Sequence, residues 1–543
     1  MQDMRSKAGE NNVPSPTVSS NDYTKRRTLF INLLLAPGAG LAASLLTVVL
    51  MGILRLVAGI PTPVELFGDF VLKHIDVGTF LRLLITFAPN SKTVPLGLAL
   101  LGMVLIGTLL SLLYAALARV KLPARGYRPA RREWLIASAF GGAMTLIAIA
   151  LFWNEIGQNL FGLPLARAML ATATGLLADF GLYSITLCLA YRALLPKLTD
   201  AESAPAQGRR LLLTRAGVAA LSAGGLGGTL GLVRGYLDNY AAYDGMKSAV
   251  HNGVTPPITP NSEHYVVTQN AIDPRVDSAL WRLEVTGLVQ KPGVYTYTEI
   301  QNLPSTSRPI TLECIANGRE DHLIGTAIWQ GVTLRTLLER HGGPQPNARY
   351  VAFYSVDNYN VSLPLDEVLA VDALLAWRMN GVELPQRHGF PLRVLIPGRY
   401  GEENPKWLTR VELTDHFVGG LYSDQGWYNG PLHTMSRIDR PRGRVAAGQS
   451  IEVGGIAFAG NRGIQKVEVS VDGGATWHQA DLQPALSQDS WVLWTWQWRS
   501  PLPGSYTLVC RATDGTGALQ TDHVQGTVPR GATGYPRVAV QIV

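Results

Sequence analysis

Apolar residues in this chain gather in five long runs before residue 235, at about 29–56, 95–118, 134–153, 166–194 and 211–233. Each nears or exceeds the roughly 20 residues that carry a helix across ~30 Å of hydrocarbon. The first run follows Lys25-Arg26-Arg27, is too long for the apolar region of a signal peptide and has no convincing cleavage site. It therefore reads as the first of five membrane helices, within a membrane domain over 25–235. Residues 1–24 are polar, rich in Ser, Asn and Pro, and read as a disordered cytoplasmic tail. Between the first two runs, Val64 to Ala88 carries Glu65, Asp69, Lys73, His74, Asp76 and Arg82 among apolar residues, which suits an interfacial amphipathic helix.

Basic residues orient these helices. The 119–133 loop holds Arg119, Lys121, Arg125, Arg128, Arg131 and Arg132, whereas the 154–162 loop holds no Lys or Arg. With Lys25–Arg27 and the Lys197, Arg209, Arg210 cluster, this puts the N-terminus and both basic loops in the cytoplasm. Five crossings then deliver everything after about residue 235 to the outer face. The formal charge of +7 is largely topological and needs no nucleic acid. Charged residues make up 16% and mean hydropathy is +0.12, the average of a membrane part and a soluble part. Cys188, Cys314 and Cys510 stand too far apart for an iron–sulfur cluster or a Cys-rich zinc site.

After a linker over 236–259 the chain reads as soluble protein. Over 260–435, short β-like runs such as Trp281–Val285, Tyr350–Tyr354 and Leu392–Ile396 alternate with helical pieces such as Leu334–Arg340, which predicts an α+β domain. From 436 to 543 helices disappear, and strands at Ile451–Phe458, Lys466–Val471, Trp491–Trp498 and Ser505–Ala512 alternate with Gly turns. That pattern predicts an immunoglobulin-like β-sandwich.

Thr311-Leu-Glu-Cys-Ile-Ala-Asn-Gly-Arg319 places one cysteine after a β run, inside a polar loop. Alone, such a cysteine is more often a buried small hydrophobe. Downstream, His388, Arg393 and Lys406 would converge donors on an anionic group such as a phosphate.

This half of the chain resembles the sulfite oxidase family of molybdenum enzymes. The matching motifs are Cys314-x-x-Asn317, Ile324-Gly-Thr-Ala-x-Trp329-x-Gly331, Met379-Asn-Gly381, His388-Gly-Phe-Pro-x-Arg393 and Lys406-Trp407. Val469-Ser-Val-Asp-Gly-Gly-Ala-Thr-Trp477 then resembles that family's dimerisation domain. The resemblance implies a molybdenum–molybdopterin cofactor with Cys314 as its thiolate ligand, a soft donor for an oxidisable metal. It assigns His388, Arg393 and Lys406 to the pterin and its phosphate, and Asp357 and Asn317 to the pterin or the brace of the cysteine loop. Thr268 and Asn270 lie in the early pterin-binding loop. There the family's Arg-Asn-His is replaced by Val267-Thr268-Gln269, which counts against sulfite itself. Arg319 stands where sulfite-oxidising members hold substrate; the plainer alternative is a surface arginine paired with Glu320 or Asp321. Tyr428 falls near the family's active-site tyrosine, with an aromatic lid as the alternative. Arg399 and Tyr400 are further pocket candidates.

The first 250 residues contain one histidine, His74, outside the apolar runs, so no bis-His haem fits between these helices. Electrons would pass to or from a separate cytochrome, another soluble carrier or a quinone. Asp179, mid-run, either handles protons at a quinone site, with Glu155 and Arg167 near the outer surface, or makes a structural helix–helix hydrogen bond or ion pair. Gly208-Arg-Arg-Leu-Leu-Leu213 is read either as a twin-arginine export signal or as positive-inside anchoring. The expected protein is a bacterial inner-membrane oxidoreductase, possible as a homodimer, that transfers an oxygen atom with two electrons. It would oxidise sulfite or a related sulfur anion, or reduce an S-oxide or N-oxide. The rival is a non-catalytic membrane scaffold or adhesion protein with a degenerate cofactor fold.

Overall fold

The computed structural model describes residues 20–543 apart from 88–92, 198–203, 241–249, 251–252, 270–272 and 500. Asn270, most of the expected tail and part of the expected linker lie outside the described residues. The described residues fall into two compact units, one within 20–50, 101–146 and 177–230 and the other within 51–100, 147–176 and 231–543.

Among the described residues seven helices precede the soluble part: α1 (Ser20–Ala58), α2 (Pro63–His74), α3 (Val77–Phe87), α4 (Thr93–Ala118), α5 (Arg131–Leu151), α6 (Leu165–Leu194) and α7 (Ala204–Tyr240). Among the described residues four stretches are long and apolar enough to cross a membrane: Leu34–Ala58, Val94–Ala118, Arg131–Leu151 and Leu165–Leu194. Helix α7 contains the fifth expected run but is not among these four; it also carries Arg209, Arg210, Arg215 and Arg234.

In the first unit, small residues let helices approach closely. Ala36, Ala39, Ala42 and Ala43 of α1 share a core with Tyr114 of α4 and Tyr183, Leu187 and Tyr191 of α6. A Cβ on Gly40 would stand 2.7 Å from the Ser111 side chain. Arg192 and Glu133 form a buried pair at 2.9 Å. Asp179 is 3% exposed, and its Oδ1 makes no hydrogen bond.

In the second unit, the segment expected to form one amphipathic helix is broken into two. Thr62 and Glu65 form a capping box at the start of α2, behind Pro63. Helix α2 stops at His74, and Asp76 then accepts from the Thr79 N–H at 3.0 Å, starting α3 as a new helix.

The α+β domain is built on ten strands: β1 (Leu283–Gly287), β2 (Gly293–Tyr295), β3 (Thr306–Glu313), β4 (Ile324–Thr333), β5 (Tyr350–Ser355), β6 (Asn360–Pro364), β7 (Leu374–Met379), β8 (Val382–Glu383), β9 (Arg393–Leu395) and β10 (Leu408–Thr414). One sheet runs β2-β1-β10-β5-β6; the other runs β3-β4-β7-β8, with β9 on β7. Trp281, Phe353, Leu375, Val394 and Val411 fill one core, and Ile310, Ala327, Trp329 and Leu374 another. The cysteine loop leaves the end of β3 and returns as β4, so the β3–β4 pairing from Thr306↔Gly331 to Glu313↔Ile324 fixes its base.

Nine strands follow from Met435 to Ile542 in two sheets, one of four strands and one of five. Their inner faces share a core of Ile438, Val453, Val469, Trp494, Leu508 and Val540, which accords with the expected two-sheet packing.

Candidate active site

Cys314 is the first residue beyond β3. Its N–H donates to the Leu323 carbonyl at 2.9 Å, and its own carbonyl accepts from Asn317 N–H at 2.8 Å, closing the loop into a tight turn. Asn317 also donates from Nδ2 to Glu313 Oε1 at 3.0 Å. The thiol is buried, and burial, followed by the nearby Glu402 carboxyl, pushes its pKa up to about 12. A soft metal cation would reverse that bias, since coordination deprotonates a thiol outright.

His388, Arg393 and Lys406 converge as their spacing suggested. His388 closes a short helical turn, and Gly389 after it has φ 115°, a backbone region that favours glycine. A Cβ there would stand 3.0 Å from Lys406 Cβ and 3.1 Å from Arg393 Cβ, so the missing side chain lets all three donors approach. Arg393 donates from Nη1 to the His388 carbonyl at 3.0 Å and from Nη2 to the Asn404 carbonyl at 3.3 Å. Its Cζ lies 5.0 Å from the Trp329 ring centre. Burial lowers its pKa to about 10.

Lys406 bonds the Val267 and Arg387 carbonyls at 3.1 and 3.3 Å, tying the early loop to the His388 turn. Burial holds its pKa near 7. His388 is bonded to the Asn261 carbonyl at 2.9 Å, and burial, then His264, depresses its pKa to about 3. It is thus a neutral ring at ordinary pH. Thr268 and Asp357 are buried, the latter accepting from the Tyr359 N–H at 3.3 Å.

Other candidates point elsewhere. Arg319 donates to the Tyr535 carbonyl in the C-terminal domain at 3.3 Å. Tyr428 donates to the Pro431 carbonyl at 2.9 Å and stacks on His433 at 5.3 Å. Arg399 pairs with Glu403 at 3.3 Å and also contacts Glu367, while the Tyr400 hydroxyl accepts from the His433 N–H at 3.2 Å.

Several residues at the site carried no clear signal in the sequence. Buried Tyr265 and half-buried Tyr422 stand where the Cys314 thiol raises both phenol pKa values, after desolvation itself. The Glu402 carboxyl also raises the Cys314 pKa, and burial holds its own pKa well above the usual carboxylate range. His264 stacks on Tyr265 and stands edge-on to Trp329 and His388. The α2–α3 segment also reaches this region. Gln425 donates to the Leu72 carbonyl at 2.6 Å, and the Phe80 ring lies 5.8 Å from Trp427 and 6.3 Å from Tyr422.

The residues present suit a molybdopterin. A single thiol lies in one buried cluster with Tyr265 and Trp329, and nearby Arg393 Nε and Asn317 Oδ1 are buried without protein partners. Such atoms are costly unless a polar group meets them. The arrangement defines a cofactor cleft of the molybdopterin oxidoreductase class.

Comparison with known proteins bears this out. Residues 270–422 match the oxidoreductase molybdopterin binding domain, and residues 436–542 the Mo-co oxidoreductase dimerisation domain. The matched part of the chain is similar to the sulfite oxidase family of molybdopterin-dependent oxidoreductases. It is 30% identical to human mitochondrial sulfite oxidase over 320 residues, 49% of this chain and 58% of that one. It is 32% identical to the NADH nitrate reductase of Volvox carteri over 281 residues, 42% of this chain and 32% of that one. These relatives are thus matched over about a third to six tenths of their own length. The crystal structure of the sulfane dehydrogenase SoxCD from Paracoccus pantotrophus is also similar, with TM-score 0.48 and 23% identity over 53% of this chain and 82% of that one.

Proposed function

We propose that this chain is a membrane-anchored enzyme whose bound molybdenum–molybdopterin supplies two-electron oxygen-atom transfer to or from a small sulfur or nitrogen oxo compound. The observation that carries this reading is Cys314, a buried free thiol at a strand end, together with the convergence of His388, Arg393 and Lys406 around Gly389. Cys314 is the metal ligand. Arg393, Lys406, His388 and the Thr268–Asn270 loop hold the pterin and its phosphate, with Asp357 and Asn317 beside them. Arg319 and Tyr428 are assigned to the substrate pocket on their sequence positions alone, since their side chains bond the Tyr535 and Pro431 carbonyls. Tyr422 and Tyr265 exclude water from the reacting face.

The membrane reading has five crossings, α7 being the fifth, with the soluble domains on the outer face. Support comes from α5, which begins at Arg131-Arg132 and ends in the 152–164 segment. That segment touches the soluble domain, the Phe161 carbonyl accepting from the Asp277 N–H at 3.1 Å. Basic residues at one helix end and the catalytic domain at the other agree with the positive-inside rule. The dimerisation-type domain favours a homodimer.

The test is metal and turnover. The full chain, purified in detergent from a host that makes the cofactor, should carry about one molybdenum and one pterin per chain, the stoichiometry of a single cysteine-ligated centre. It should oxidise sulfur anions or reduce S- or N-oxides with artificial dyes. Absence of both molybdenum and turnover would favour a non-catalytic scaffold.

A further inference from the structure

The second unit contains a cavity of about 380 Å³ away from Cys314, within the range of small-molecule sites. Its walls include Arg55 and Leu56 from the end of α1, Leu160 and Phe161 from the segment after α5, and Asp273 and Arg275 from the irregular stretch before β1. We propose that this cavity is a binding site for the ring of a membrane quinone or quinol, which exchanges electrons with the cofactor. The inference rests on the oxidoreductase reading above and deepens it by naming the electron partner.

The cavity lies beside the end of the first candidate span, Leu34–Ala58, whose Arg55 and Leu56 line it. Leu56 and Val57 at the end of α1 are 48% and 74% exposed, so an apolar tail leaving the cavity beside Leu56 meets apolar surface continuous with a candidate span. The backbone at this level is braced. Asn159 donates to the Ala58 carbonyl at 3.1 Å, and Leu160 N–H donates to the Gly59 carbonyl at 3.0 Å. A Cβ on Gly162 would stand 2.7 Å from Val276, so the bilayer-side loop and the soluble domain meet here without a side chain between them.

Charge selects a neutral ring over an anionic lipid. The lining arginines, Arg55 and Arg275, are matched by Asp273 and Asp277. Arg55 is further engaged by Glu65 at 2.9 Å, and Asp273 by Arg387 at 2.6 Å. A phosphate would meet carboxylates as often as guanidinium groups, whereas a quinone offers carbonyl acceptors and a quinol offers O–H donors, which this mixture serves.

The cavity also abuts the cofactor cleft. Gln386 lines it and grips Val276 through both amide atoms at 3.2 Å. Asp273 holds Arg387, whose carbonyl anchors Lys406, and His388 follows. The wall of the cavity is therefore the turn that carries the proposed pterin anchors. Oxidation of bound quinol breaks its two O–H bonds, delivers two electrons to the cofactor and passes two protons to water by way of the exposed Asp277 carboxylate; quinone reduction is the reverse.

The test measures decylubiquinone binding to the full detergent-purified chain, with dye-linked turnover followed separately. Leu56→Trp fills the lipid-side mouth, and Arg275→Ala removes an exposed cation with little demand on folding. Saturable binding weakened tenfold or more in either variant supports the site, whether or not the dye assay shows turnover. Dye-linked turnover without quinone binding, binding unchanged in both variants, or equal displacement by phosphatidylglycerol overturns it. Absence of dye-linked turnover and of molybdenum refutes the enzyme reading, and quinone binding then stands or falls by the variants.

Discussion

Gln425 Nε2 donates to the Leu72 carbonyl at 2.6 Å, joining the loop after Tyr422 to helix α2. With Phe80 set against Tyr422 and Trp427, this bond makes the α2–α3 segment a cover for the region around Cys314. Phe80→Ala should therefore raise severalfold the rate at which a bulky thiol reagent labels Cys314 in the cofactor-free chain, read by peptide mass spectrometry. An unchanged rate would show that the segment covers nothing the thiol depends on.

Arg393 is buried between the His388 and Asn404 carbonyls and the Trp329 ring. Arg393→Lys keeps the charge but loses the planar, multi-donor geometry. It should cut bound pterin at least tenfold and lower stability by about 3 kcal/mol, as expected when a buried charged group loses its partners. Pterin content and thermal unfolding of the same preparation check both numbers.

Arg437 and Asp439 form a 2.7 Å pair with both side chains 1% exposed, and Arg437 also donates to the Asp321 carbonyl in the cysteine loop at 2.9 Å. Asp439→Ala leaves a buried guanidinium uncompensated and should cost about 3–5 kcal/mol. Because the strand also braces that loop, molybdenum content should fall with it. A fully stable, metal-replete variant would contradict the coupling.

How much of this was legible in the sequence depended on where partners come from. Cys314, His388, Arg393 and Lys406 announce themselves because their loops are short and their spacing is fixed by local turns such as Gly389. Tyr422, Glu402 and Tyr265 come near Cys314 only through the packing of separate segments, which no local pattern encodes. Arg319 stands at the expected distance from the cysteine, yet its direction is decided by the Tyr535 carbonyl more than 200 residues away. The amphipathic character of 64–88 is plain in the sequence, but the surface it covers, and its break at Asp76, are settled by tertiary contacts and a local cap.

Asp69 in α2 is raised to about 7, chiefly by burial and partly by Glu65 and Asp357, against the lowering effects of Gln158 and Lys73. A carboxyl raised in the folded state binds more protons there than when unfolded, so its contribution to stability falls as pH rises from about 4 to 7. Asp69→Asn should thus gain stability relative to the parent at pH 8 and little at pH 4. Thermal unfolding at both values reads the difference; a larger gain at pH 4 would reverse the sign and refute the assignment.

The most direct test of the account is molybdenum X-ray absorption on the full chain beside Cys314→Ser. If Cys314 is the metal's protein ligand, the parent shows one more sulfur scatterer than the variant, and oxygen-atom transfer falls by more than a hundredfold. Equal sulfur counts in the two proteins, or full activity in the variant, would contradict it.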